Sequence, residues 1–164
     1  MSRGRRANAY RSQKRLLSGA SRPPAGAKRP SRCPRCGLVV MDGGWRWPRG
    51  KPPGCLQERL CPACEQVRAG TPSGLVRFGG AFAVLHREGI LHRIRNVERL
   101  AARDRPLERI IRIAETEETI AVTTTSEHLA ARIAKAVESD FGGNLELRYA
   151  PHEKYATAVW VRDA

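Results

Sequence analysis

Cys33-Pro34-Arg35-Cys36 and Cys61-Pro62-Ala63-Cys64 are two Cys-x-x-Cys pairs, and 24 residues separate the last cysteine of the first from the first of the second. Four thiolates arranged as two such pairs can close a tetrahedral shell around one zinc ion. Two knuckles suit a Zn–S₄ site better than iron or a redox dithiol, which would need one exposed pair at a helix N-terminus. A shell of four cysteines leaves no position for substrate or water, so the sequence predicts a structural zinc with Cys33, Cys36, Cys61 and Cys64 as ligands. The fifth cysteine, Cys55, stands six residues before Cys61, a poor knuckle spacing, and reads as a free thiol.

Working outward, residues 33–70 read as a zinc ribbon. Gly37 permits the tight turn that aims backbone N–H groups at sulfur. Residues 38–41 and 45–47 read as two short strands joined by an Asp42-Gly43-Gly44 turn. The stretch 48–54 (PRGKPPG) is too rich in proline for regular structure. It accounts for a spacing beyond the commonest range of about 15–20 residues, and added loop length there costs little.

Residues 71–164 alternate strand and helix patterns. GLVRF at 74–78 reads as a strand ended by Gly79-Gly80, and residues 81–103 as a helix that Gly89 could kink or split. Residues 107–114 alternate as a strand, with Leu107, Arg109, Ile111 and Ile113 on one face. Residues 119–123 form a β-branched strand. Thr124 opens a T-x-x-E capping box before a helix with Leu129, Ile133 and Val137 on one stripe, stopped by Gly142-Gly143. Strands at 145–149 and 156–161 follow. The order β-α-β-β-α-β-β predicts an α+β chain in which the ribbon precedes a ferredoxin-like α/β sandwich with one added strand. Its helices would cover one sheet face and leave the other for a partner.

The formal net charge of the 164 residues is +14, and most of it lies at the start. Residues 1–32 hold ten Lys or Arg and no acid, whereas the remainder carries 20 basic and 16 acidic residues. Pro23-Pro24, Gly26, Pro30 and scattered serines make this stretch a disordered basic arm. An acid-free basic arm is the usual footprint of a polyanion partner; a merely solubilising tail and an organellar transit peptide are the alternatives. No apolar run approaches the roughly 18 residues a membrane span needs. With cysteines spaced for metal rather than disulfides, the sequence predicts a cytoplasmic protein.

Trp45 and Trp47 lie two apart on a strand, with Arg46, Arg49 and Lys51 close by. Aromatics interleaved with basic residues can stack unpaired bases and contact phosphate, yet either tryptophan could instead pack on the zinc site as the module's core. Arg3, Arg5, Arg6, Arg11, Lys14 and Arg15 of the arm complete the expected nucleic-acid contacts. The four histidines show no ligand spacing. Gly74-x4-Gly79-Gly80 lacks the Lys-Ser/Thr of a phosphate-binding loop, and no nucleophile elbow or carboxylate pair stands out. The sequence nominates no catalytic group.

Beyond the knuckles, the stretches His92-Arg93-Ile94-Arg95-Asn96, Thr123-Thr124-Thr125-Ser126-Glu127-His128-Leu129-Ala130 and Gly142-Gly143-Asn144-Leu145-Glu146 resemble a small proteobacterial zinc-ribbon family. That family is itself distantly similar to the N-terminal zinc region and following α/β domain of the archaeal and eukaryotic Nmd-three-type large ribosomal subunit export adaptors. The resemblance spans about residues 33–162 and implies that Cys33, Cys36, Cys61 and Cys64 hold zinc and that the partner is ribosomal RNA or the ribosome. The adaptors carry more cysteines, further domains and transport signals, so export itself is not implied. The expected function is non-catalytic RNA binding, with a protein-interaction or regulatory module as the alternative; a DNA-binding regulator is disfavoured because no helix-turn-helix is evident.

Overall fold

The computed structural model describes residues 30–164 apart from 42, 53 and 55. The chain is mixed α+β. A small three-stranded sheet comes first: β1 (Ser31–Arg32) pairs antiparallel with β2 (Val39–Val40) and parallel with β3 (Gln57–Glu58). The expected hairpin between residues 38–41 and 45–47 contracts to one antiparallel bridge, Val39 to Arg46, with both N–H···O distances 2.9 Å. Pro48 has no N–H to extend it, and the tryptophans on either side of Arg46 are drawn to other contacts. The short helix α1 (Pro62–Ala69) starts at the second knuckle and ends at Gly70, whose φ of 64° is the left-handed conformation that caps helices.

The larger unit follows the predicted element order: β4 (Gly74–Gly79), α2 (Ala81–Leu85), α3 (Arg87–Asp104), β5 (Ile110–Glu115), β6 (Ile120–Thr124), α4 (Glu127–Phe141), β7 (Asn144–Tyr149) and β8 (Ala156–Val161). The helix expected over 81–103 does break, but at His86 rather than Gly89. Phe82 and His86 stack there with ring centroids 4.0 Å apart, while Gly89 stays helical and faces the Phe141 ring.

The five strands lie in the order β5-β6-β4-β8-β7, antiparallel except for β4 with β8. The last strand, β8, therefore sits inside the sheet, between β4 and β7. Period-2 alternation sends Val76, Phe78, Ile120, Val122, Ala158 and Trp160 to one buried face. Ile90, Ile94 and Val97 of α3 and Leu129, Ile133 and Val137 of α4 close over it. Fully burying each large apolar side chain stabilises by about 1.5–3 kcal/mol, so this layer is the principal core. The opposite face carries Leu75, Arg77, Thr123, Val159 and Val161, none of them buried.

α4 begins two residues later than the capping box predicts. Ser126 is the N-cap, accepting from the His128 N–H at 3.1 Å. Thr124 is the last residue of β6, and its hydroxyl donates to Ser126 O at 2.7 Å. A Cβ on Gly74 would lie 2.5 Å from both the Thr124 hydroxyl and Ala130, so glycine lets β4 approach the start of α4 this closely.

Candidate metal centre

The two knuckles bring the four sulfurs of Cys33, Cys36, Cys61 and Cys64 within 4.8 Å of one another, with all but Cys36 buried. Each knuckle is built by its own backbone. Gly37, at φ 82°, turns the chain so that its N–H reaches Cys33 O at 2.9 Å, and Cys33 N–H bonds Leu38 O at 2.8 Å. In the second, Cys61 is the N-cap of α1, Pro62 occupies the first turn, and the Cys64 N–H donates to Cys61 Sγ at 3.4 Å. That helix was not foreseen, although Pro just inside a helix start is a recognisable signal.

The donor set fits a tetrahedral metal. Sulfurs about 2.3 Å from a zinc ion stand about 3.8 Å apart at the tetrahedron's edges, and Cys36 Sγ to Cys61 Sγ is 3.7 Å. Without a metal the same crowding is unfavourable to ionisation. Burial pushes the Cys61 thiol up against the relief of the Cys64 N–H. Burial pushes Cys64 up as well, reinforced by the other three sulfurs. Burial also acts to raise Cys33, but backbone N–H groups of Cys61, Cys36 and Arg35 outweigh it and bring that thiol down to about 6. Cys33 is thus prepared as thiolate, and Cys61 and Cys64 need a cation's charge.

Arg109 brings a positive charge to the cluster from the α/β unit. Its guanidinium donates to Cys64 Sγ at 3.6 Å and, through Nε, to Pro106 O at 2.9 Å. It lies 5.9 Å from the centre of the Trp47 ring, and its Nη2 is buried without a hydrogen-bond partner. Burial acts to lower the Arg109 pKa, but contacts with Cys36, Cys64 and Cys61 raise it above its ordinary value. Thr125 fixes the segment that carries it: the Thr125 hydroxyl accepts from Arg109 N–H at 2.9 Å and donates to Leu107 O at 2.7 Å. Leu107 packs on the cysteines. Residues 107–109 are therefore a docking turn, and the strand expected from 107 starts at Ile110, with a register shift before Arg112. No sequence pattern marked Arg109 or Thr125 as neighbours of the knuckles.

Among the other expected site residues, Trp45 packs against the cysteine cluster with Arg59 over its ring at 5.4 Å. Trp47 donates its indole N–H to Ala102 O of α3 at 2.7 Å, while 41% of the residue stays exposed. Both tryptophans thus take structural contacts, one under the sulfurs and one across the junction. Arg46, Arg49 and Lys51 are exposed. Arg3, Arg5, Arg6, Arg11, Lys14 and Arg15, with the rest of the arm up to residue 29, and Cys55 lie outside the described residues. His86, His92, His128 and His152 join no metal-ligating group among the described residues.

No described helix is long and apolar enough to cross a membrane. No protein family, curated protein or solved structure matches the chain.

Proposed function

We propose that this chain is a non-catalytic, zinc-organised RNA-binding protein of the cytoplasm, with ribosomal RNA or the ribosome as its partner. The observation that carries the reading is a four-sulfur cluster with uncommitted cations in the segment between its knuckles: Arg46, Arg49 and Lys51 are exposed and form no ion pair with a described residue. Zinc would cross-link the knuckles as a ribbon and leave no coordination position for chemistry. A net charge of +14 supports a polyanion partner. The β4-α-β5-β6-α4-β7 path supports a ferredoxin-like unit into which β8 is inserted. The resemblance to the zinc-ribbon family and the export adaptors adds the ribosome to the reading.

Sedimentation of cell lysate at low and high salt, with metal assayed on the purified chain, tests it. Co-migration with ribosomal particles that salt releases, and about one zinc per chain, is the expected result. A protein that stays at the top of the gradient at both salts refutes the ribosomal partner. The open sheet face, with Val159 and Val161 more than a third exposed, favours the second reading, a protein-interaction module, which binding to a protein partner after nuclease treatment would support.

A further inference from the structure

The helix layer carries a basic trough on the side of the molecule away from the open sheet face. At one end, Arg105, His128, Arg132, Lys135 and Tyr149 surround a groove of about 360 Å³. His128, Arg132 and Lys135 stand four and three residues apart, so successive turns of α4 present them on one face. Tyr149, the last residue of β7, is 54% exposed beside them. A second hollow of about 280 Å³ continues the first along the α3–α4 seam. It shares Arg105 and Arg132, adds Arg93, and is floored by Val97, Leu100 and Ala136.

The charges in this trough are positioned rather than free. Glu108, only 8% exposed, pairs with Arg132 and lies 3.6 Å from Arg105 Nε. One buried carboxylate therefore holds two guanidinium groups, and Lys135 forms no ion pair among the described residues. Arg105, Arg132 and Lys135 against Glu108 leave an excess of positive charge around an exposed phenol ring. Aromatic rings accept any base face by stacking while neighbouring cations track the phosphates. Along α4 the lining runs from His128 to Ala136. On the helical rise that is about 12 Å, room for more than a single phosphate.

We propose that this trough holds a single RNA strand, with phosphates on Arg105, Arg132 and Lys135 and a base stacked on Tyr149. The inference rests on the RNA-binding reading and places the contact on the helix layer, apart from the segment between the knuckles. Its test is fluorescence anisotropy of the full chain with a labelled mixed-sequence single-stranded oligoribonucleotide over a salt series. Lys135→Gln, Tyr149→Ala and, as a control, Arg148→Gln are compared; Arg148 lies on the open face of the same strand as Tyr149 and is exposed.

Lys135→Gln is expected to weaken binding and reduce the salt slope by about 1, and Tyr149→Ala to weaken binding about fivefold or more. Arg148→Gln should leave the slope unchanged. Wild-type binding that neither trough variant alters, or an equal loss for Lys135→Gln and Arg148→Gln, overturns the trough while leaving the RNA reading in place. Adenosine monophosphate displacing the oligonucleotide as effectively as unlabelled oligonucleotide overturns the strand in favour of a mononucleotide site. A wild-type chain that binds no oligonucleotide at low salt overturns both readings together.

Discussion

Replacing Arg109 with alanine should loosen the metal without touching a ligand. Four thiolates around a divalent ion carry two net negative charges, and the Arg109 guanidinium donates to one of those sulfurs at 3.6 Å. At that separation a pair of unit charges near a protein surface interacts by about 4 kcal/mol, most of which is offset by desolvating a half-buried guanidinium. Measured losses on removing such outer partners are about 10–100-fold in metal affinity, and the Arg109→Ala loss is expected within that range. Arg109→Lys should fall between alanine and wild type, because it keeps the charge but not the planar contact with Trp47 or the Nε bond to Pro106 O. Competition for zinc against a chromogenic chelator reads the affinity, and thermal unfolding with and without zinc reads the linkage. Binding by Arg109→Ala within twofold of wild type would refute the reasoning. So would an equal destabilisation of the zinc-bound and zinc-free chains, which would make Arg109 a packing residue alone.

Zinc affinity should climb with pH. Burial holds the Cys61 and Cys64 thiols protonated above their ordinary range, so the ion must displace those protons, and acidification returns them. Calorimetry in buffers of different ionisation enthalpy at pH 7.5 should show net proton release on metal binding, to which Cys33, its thiol brought down to about 6, contributes little; no release would refute this. Gly80→Ala should lower the melting temperature: φ is 92°, and the new Cβ would sit 2.3 Å from Arg162 O. The backbone conformation alone contributes about 1–3 kcal/mol. Trp160→Phe should cost about 1–3 kcal/mol in denaturant unfolding, because Gly142 O loses the indole N–H that reaches it at 2.7 Å. Deleting residues 1–29 should flatten the salt dependence of RNA binding, since nine Lys or Arg leave with them; an unchanged slope removes the arm from the interface.

The four-sulfur cluster was legible because a chelating set fixes its own spacing: two CPxC pairs specify four sulfurs wherever the intervening chain goes. Strands and helices of the larger unit were legible for a similar local reason, as with the period of Leu129, Ile133 and Val137 or the alternation of Leu145, Leu147 and Tyr149. The junction was not. Leu107 and Arg109 continue the apparent alternation of β5, but Thr125 holds their backbone in a turn and the cysteines of the other module receive their side chains. The capping box likewise points to Thr124, whose hydroxyl serves Ser126 O instead, while Ser126 caps the helix. Trp47 read equally as a stacking platform or a packing residue, and the Ala102 carbonyl that engages its indole N–H lies 55 residues away in sequence. Local pattern carries what neighbours in sequence decide; it does not carry which distant surface arrives.

The placement of β8 has a consequence for synthesis on the ribosome. Of the five strands, the one that joins β4 to β7 is the last translated, and its register sets Gly74 against Ala156 and Phe78 against Trp160. Until residue 161 has emerged, β4 and β7 each present an unsatisfied strand edge, and α4 lacks the Trp160 floor beneath it. Such edges template pairing with other chains. The nascent α/β unit is therefore committed late and all at once, while the four cysteines, all translated by residue 64, could gather around a metal ion well before. Metal supply during translation would then decide whether the late-closing sheet meets an ordered docking partner or a loose one.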